Sequence, residues 1–504
     1  MKFEARATLA LGTLAASLSA GAAEPVANAL TIYSSAPAGA IPVDTFRAGG
    51  QSGFSVPGYA VVRHEREMEF ERGRNEIRFT DVAGLIDPTT VAFSSLTDPT
   101  GTRVVEQNYQ FDLVSTDKLL QKFVDRTVKV EQIRGDKADT FEGTLLSTRG
   151  GLVLRQADGT IRTFAHNASV TLPSLPGGLI TRPTLLWDVF TQKPGRHVAR
   201  VAYQTTGITW WTDYNLTYSE SKPAGECRLD VGAWVSILNQ SGASYPDARL
   251  KLIAGDVHRA PAAAPPSPKM MMRAAEAAAD SVAGFEEKAF FEYHLYTLGR
   301  PSSLPDNSTR QIELFPAVSG VACERTLVYY GAADYGIGGE PYTDRNLGGN
   351  GNRKVDSYLV FRNTKETGMG VPLPAGRVRV SKLDTADGSM EFIGEDRIDH
   401  TPKNETVTLK LGSAFDVVGE RKQTDFKVDT GRKVMTEEFE IRIRNRKDVP
   451  VRVIVKETLY RWTNWRITAS SHTYEKQDAR TLHFPVDVGA DKEAVVRYSV
   501  RYSW

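Results

Sequence analysis

Along most of this chain apolar residues recur at every second position, and that period constrains the fold more than any other feature. Successive side chains of a strand point to opposite faces, so such a run is buried on one side and wet on the other only as a β-strand. The pattern is cleanest near the C-terminus. Phe439, Ile441 and Ile443 alternate with Glu440, Arg442 and Arg444; Asn445-Arg446-Lys447-Asp448 supplies a turn; Val451, Val453 and Val455 resume the apolar face. Leu482, Phe484, Val486 and Val488 mark a third strand, and Val496, Tyr498, Val500, Tyr502 and Trp504 a fourth. Short strands at this spacing predict an immunoglobulin-like sandwich over 431–504. Helical periodicity is nearly absent, so the expected fold class is mainly β: several antiparallel β-sandwich units with a small inserted barrel.

The same reading divides the chain. Residues 1–23 combine Lys2 and Arg6, an apolar run from Ala7 to Leu18 and the small residues Ala20-Gly21-Ala22, which together read as an export signal. An N-terminal β domain is expected over 24–115, where Tyr59 to Phe70 and Glu76 to Phe79 flank Gly73-Arg74-Asn75 as an antiparallel hairpin. Over 116–172, a short helix from Thr116 to Phe123, capped by Ser115 or Thr116, precedes four or five short strands, the pattern of an SH3-like or Sm-like barrel or of a plain meander. A central sandwich occupies 173–258 and 285–430. Between its parts, 259–284 is so rich in Ala and Pro, and so poor in large apolar side chains, that a linker is expected. Residues 336–353, with six glycines and Pro341, read as an exposed loop.

Composition narrows the function classes. Lys and Arg total 62 and Asp and Glu 61, a net charge of +1, so no global field attracts nucleic acid or an anionic membrane. No later stretch has the length and apolarity of a membrane helix. The expected location is therefore periplasmic or extracellular. The two cysteines, Cys227 and Cys323, either pair in that oxidising compartment or remain two separately buried thiols.

No nucleophile elbow, zinc-protease pair, phosphate loop or C-x-x-C spacing occurs. Ser115 to Lys118 and Ser219 to Lys222 match S-x-x-K without the partner motifs acyl transfer needs. The eight histidines, at 64, 166, 197, 258, 294, 400, 472 and 483, lack ligand spacing. Asp384 to Gly388 fits a hairpin turn better than a calcium loop, and Met270-Met271-Met272 fits a linker better than a cuprous site. No cofactor is expected. One aromatic stretch stands out: alternation puts Tyr293 and Leu295 on one face and His294 and Tyr296 on the other, and Tyr293, His294 and Tyr296 form a candidate binding surface.

Several segments together resemble a bacterial family described only as domain of unknown function four-one-three-nine, with mucoidy inhibitor A-like relatives. They are Asp81 to Thr90, Tyr203 to Asn215, Asn239 to Ala243, the stretch HLYTLGRPSSLPDNSTRQIELF from His294, VPLPAGRVRV from Val371, and the region from Arg421 to Trp504. The resemblance brings no catalytic residues with it. The expected function is a non-catalytic binding or scaffold protein of the bacterial envelope, its partner an envelope protein or polymer. The alternatives are an envelope-polymer hydrolase using Glu395, Asp396 and Asp399, and an outer-membrane barrel suggested by the aromatic C-terminal strand.

Overall fold

A computed structural model describes most of residues 27–504; the longest stretches outside the description are 1–26, 46–55 and 258–284. The export signal, the Ala/Pro-rich segment and Met270-Met271-Met272 therefore lie outside the described residues. Strands dominate, as the period-two pattern requires. The described chain forms two compact units built from interleaved segments: 1–30, 61–206 and 240–248 in one, 31–60, 207–239 and 249–504 in the other.

In the first unit, strands Tyr59–Phe70, Gly195–Thr205 and Ile86–Ser95 are neighbours in that order, and Gly73–Phe79, Thr184–Thr191 and Thr102–Gln110 form a separate three-stranded sheet. The expected hairpin is corrected here. Asn75 does make the turn, bonding both Glu71 N–H and Glu71 O at 2.8 Å, but Gly73–Phe79 pairs with Thr184–Thr191 instead of with the strand before it. The chain thus arches from one sheet to the other. Their facing apolar phases meet where Trp187 lies 5.2 Å from Phe79 and 5.6 Å from Phe93, ring centroid to ring centroid.

The same unit holds helix Thr116–Lys122, whose N-cap is Ser115: its hydroxyl accepts from Lys118 N–H at 3.3 Å. A five-stranded antiparallel sheet follows, with Ser169–Thr171 beside Thr127–Arg134, then Lys137–Ser147, Leu152–Arg155 and Ile161–Phe164. Leu120 and Phe123 from the helix pack on Val128, Val130, Leu145 and Leu154. Among the described residues no pairing joins the outer strands, so the expected small barrel is an open sheet with a helix against it.

The second unit is dominated by one 13-stranded mixed sheet that does not close on itself. Its two longest strands, Ser308–Tyr330 and Thr406–Asp429, are broken by register shifts, and each serves different partners along its length. Two pairings are parallel: Ile208–Glu220 with Gly376–Leu383, and the end of Ser308–Tyr330 with Val451–Thr458. Toward the C-terminus the sheet doubles over. Val434–Asn445 pairs with Glu493–Ser503, Val451–Thr458 pairs with Thr481–Val488, and the apolar phases of both pairs enter one core containing Phe439, Ile441, Val453, Phe484 and Tyr498. The strands expected from Phe439 onward are all present.

Candidate functional site

Period two also says which charged residues are out of place. His64 and Arg66 fall in phase with Val62; Glu437 lies between Met435 and Phe439; Glu457 and Arg461 continue the phase of Val453 and Val455. Each is buried. A buried charge or imidazole must be paired or neutral, and these residues form two closed networks.

In the first unit, the Asn28 carboxamide donates to Pro246 O at 2.9 Å, which turns its oxygen toward His64 Nδ1, 2.7 Å away. Nδ1 therefore carries the proton, and Nε2 accepts from Tyr203 Oη at 3.1 Å. Tyr203 Oη in turn accepts from Ala83 N–H at 3.3 Å, so every group in the chain has its partner. Burial first, and the Arg66 charge second, push the His64 pKa down to about 3. Burial likewise holds the Tyr203 hydroxyl well above its usual range. Arg66 lies 4.4 Å over the Phe79 ring and pairs with Asp81 at 3.0 Å.

In the second unit, Arg421 Nε contacts Glu457 Oε2 at 2.9 Å, and Tyr498 Oη donates to the same carboxylate. Burial is the largest single influence and weakens the Arg421 proton, but Glu457, Tyr498 and Tyr460 together outweigh it and the net shift is upward. Arg461 Nε stands 2.7 Å from Glu437 Oε1 without hydrogen-bond alignment. The Arg461 guanidinium donates to Tyr342 O and Asp344 O at 2.9 and 2.6 Å. Arg421 Nη1 reaches Gly348 O at 3.2 Å. The glycine-rich segment is a mostly exposed loop, as expected, and is anchored by two buried arginines. Gly348 itself has φ +74°, and any Cβ there would collide with the Tyr460 hydroxyl.

A different arrangement stands on the surface of the second unit. Tyr218 and Glu220 come from the end of Ile208–Glu220, Lys382 from its parallel neighbour, Arg325 from Ser308–Tyr330, Ser413 from a bulged part of Thr406–Asp429, and Lys447 from the turn after Val434–Asn445. They line a cleft of about 250 Å³. Lys382 Nζ donates to Glu220 Oε1 at 2.8 Å. Arg325 and Lys447 make no salt bridge among the described residues. The Lys382 hydrogen bond and the nearby charges of Lys382, Arg325 and Lys447 lower the Glu220 carboxyl's pKa. Lining charges therefore total three cations against one anion, a net of +2.

Behind the cleft, Cys227 and Cys323 face each other across Glu226–Asn239 and Ser308–Tyr330 and are disulfide-bonded, with Cα atoms 4.8 Å apart. Glu220 is in register with Cys227, and Arg325 lies two residues past Cys323. The bridge ties the strand that carries Arg325 to its neighbour Glu226–Asn239.

The aromatic stripe is only partly at the surface. Tyr296 is buried, 6.4 Å from Trp210 between ring centroids, and its hydroxyl donates to Pro372 O at 3.0 Å. Tyr293 and His294 are half-buried, and His294 Nδ1 lies 2.6 Å from Glu287 Oε1. The whole stripe lies in a central strand paired on both sides, so a binding surface there reduces to Tyr293 and His294. The three carboxylates of the hydrolase alternative are not brought together either. Consecutive Glu395 and Asp396 point to opposite faces. Glu395 pairs with Arg379 at 3.1 Å, Asp396 accepts from the Arg397 and Lys410 amides at 2.9 and 2.6 Å, and Asp399 is exposed. Asp384 and Asp387 turn the hairpin that joins Gly376–Leu383 to Met390–Ile398. Among the described residues no group of three or more His, Cys, Asp or Glu side chains is placed to hold a metal ion, and no helix is long and apolar enough to cross a membrane.

Neither a family model nor a curated protein matches the chain.

Proposed function

We propose that this is an exported, non-catalytic binding protein of the bacterial cell envelope, a member of the family it resembles, and that it holds an envelope component at the cleft of the second unit. The contrast between its polar clusters supports this reading. The networks around His64, Arg421 and Arg461 are sealed in cores and paired with their own neighbours, with Arg66 Nε, Glu437 Oε2 and Arg461 Nε the atoms left without a hydrogen bond, so they stabilise and orient. The cleft alone among them gathers cations at the surface, two of which make no salt bridge among the described residues, and a disulfide holds the strand that carries Arg325. Fixed charge on rigid elements favours recognition, because little freedom is lost on binding.

The test is site-specific photo-crosslinking in intact cells. A photoreactive residue replacing Ser413 should give a discrete adduct in the envelope fraction, and one replacing Thr163, on the open sheet of the first unit, should not. Retention of the chain in the cytoplasm, or adducts equal at both positions, would overturn the proposal.

A further inference from the structure

Resting on that binding reading, we infer that the cleft takes a dianionic oxyanion group, a phosphate monoester, presented on a lipid or on a soluble ester. Three observations carry it. First, the charges do not cancel. Lys382 is matched by Glu220 at 2.8 Å, which leaves Arg325 and Lys447 as the uncompensated pair. Two like charges, one on a strand and one in a turn beside it, repel, and a ligand of charge −2 removes that repulsion. Monoanions leave half of it in place.

Second, the donors suit an oxyanion. The Arg325 guanidinium is a planar fork that engages two phosphate oxygens at once, and Lys447 contributes a compact charge from a different direction. The Tyr218 hydroxyl lines the same space and is suited to donate to phosphate, whereas the Ser413 hydroxyl already donates to Asp356 Oδ1 at 2.8 Å. Glu220 is already committed to Lys382, so its carboxylate is the group the ligand must avoid.

Third, the size fits a headgroup. About 250 Å³ is below the roughly 300–1,000 Å³ of clefts that enclose a whole drug-sized ligand. Leu327 and Ala414 line part of the wall, which suits a short apolar stem joined to the phosphate.

The experiment uses the full mature chain and two probes. Calorimetric titration with inorganic phosphate, with acetate and chloride as controls at equal ionic strength, reads the group itself. Co-flotation with phosphatidylcholine vesicles, with and without phosphatidic acid, reads its presentation on lipid. Phosphate should bind and the monoanions should not. The double variant R325Q/K447Q should weaken phosphate at least about tenfold. E220Q removes the competing carboxylate and should tighten it several-fold, a gain that misfolding cannot imitate. Flotation only with phosphatidic acid assigns the phosphate to a lipid, and phosphate binding without flotation assigns it to a soluble ester; both support the inference. It is overturned if neither probe binds, if acetate binds as well as phosphate, or if R325Q/K447Q and E220Q leave affinity unchanged. Should the Ser413 crosslink persist in R325Q/K447Q, binding at the cleft stands and the phosphate assignment falls.

Discussion

A charged side chain in the apolar phase of a strand is the most informative residue in this protein. His64 makes this measurable. Its pKa is about 3 in the folded chain, against 6.5 for an unperturbed imidazole. The unfolded chain therefore takes up a proton as pH falls below about 6.5, and the folded one does not until about 3. Stability is full above that window and declines through it as pH falls, with a slope of about 1.4 kcal/mol per pH unit from this residue. Glu437 acts in the opposite sense, because burial raises its pKa and its ionised form is disfavoured in the fold. Urea denaturation of the wild-type chain and of His64→Gln from pH 4 to 7 cancels the Glu437 contribution. The difference in stability between the two should vary with pH by the His64 slope, and a constant difference would remove the buried neutral imidazole from the account. At Arg461, replacement by Ala removes the cation paired with the buried Glu437 and strips donors from three loop carbonyls. A loss of about 3–5 kcal/mol is expected. Arg461→Met combined with Glu437→Met should recover much of it, which equilibrium denaturation of the single and double variants will decide.

Strand ends are held by a recurrent device. Asn239, Asn363 and Asn445 are each wholly buried at the end of a strand, and each donates to two or three carbonyls of a neighbouring turn. Asn445 alone bonds Val449 O at 2.8 Å, Val488 O at 3.3 Å and Gly489 O at 3.0 Å. Asn445→Ala should cost about 3 kcal/mol, because unsatisfied buried carbonyls cost more than the bonds gain. The sequence makes Asn239 readable as a strand-end anchor, and makes the C-terminal strands readable to within a residue or two. It does not reveal which strands pair. Gly73–Phe79 follows a good turn signal yet joins another sheet, since the turn fixes only a reversal and the partner is chosen by the facing aromatic surface of Trp187. The disulfide is also an element-scale feature, closing a separation of 96 residues. Changing Cys227 and Cys323 together to Ala should lower stability by about 4 kcal/mol in the chain-entropy view, with the far-ultraviolet spectrum retained; unchanged urea stability would contradict the bridge.

For the whole molecule, alternation and composition give the class, a mainly β chain with sandwich packing, and they do so because burial in a strand is a local property. The division into two units is not local. Each unit draws on interleaved segments, and the linear boundaries a reader places at composition shifts cannot express that. The cleft is not local either. Arg325 falls in phase with Val321, Cys323 and Leu327, and Lys382 continues the phase of Val378 and Val380, so both are out of place in the same way as His64, Glu437, Glu457 and Arg461. Lys447 lies in a turn, and only the pairing of distant strands brings the three cations together.

The central claim is that recognition lies in that cationic cleft and the buried networks are structural. Hydrogen–deuterium exchange of the full chain, with and without saturating inorganic phosphate, tests it most directly. The account predicts slowed exchange confined to peptides covering 218–220, 325–327, 411–414 and 447, with the peptides around His64 and Arg461 unchanged. Protection centred on His64 or Arg461, or none at the cleft, would contradict it.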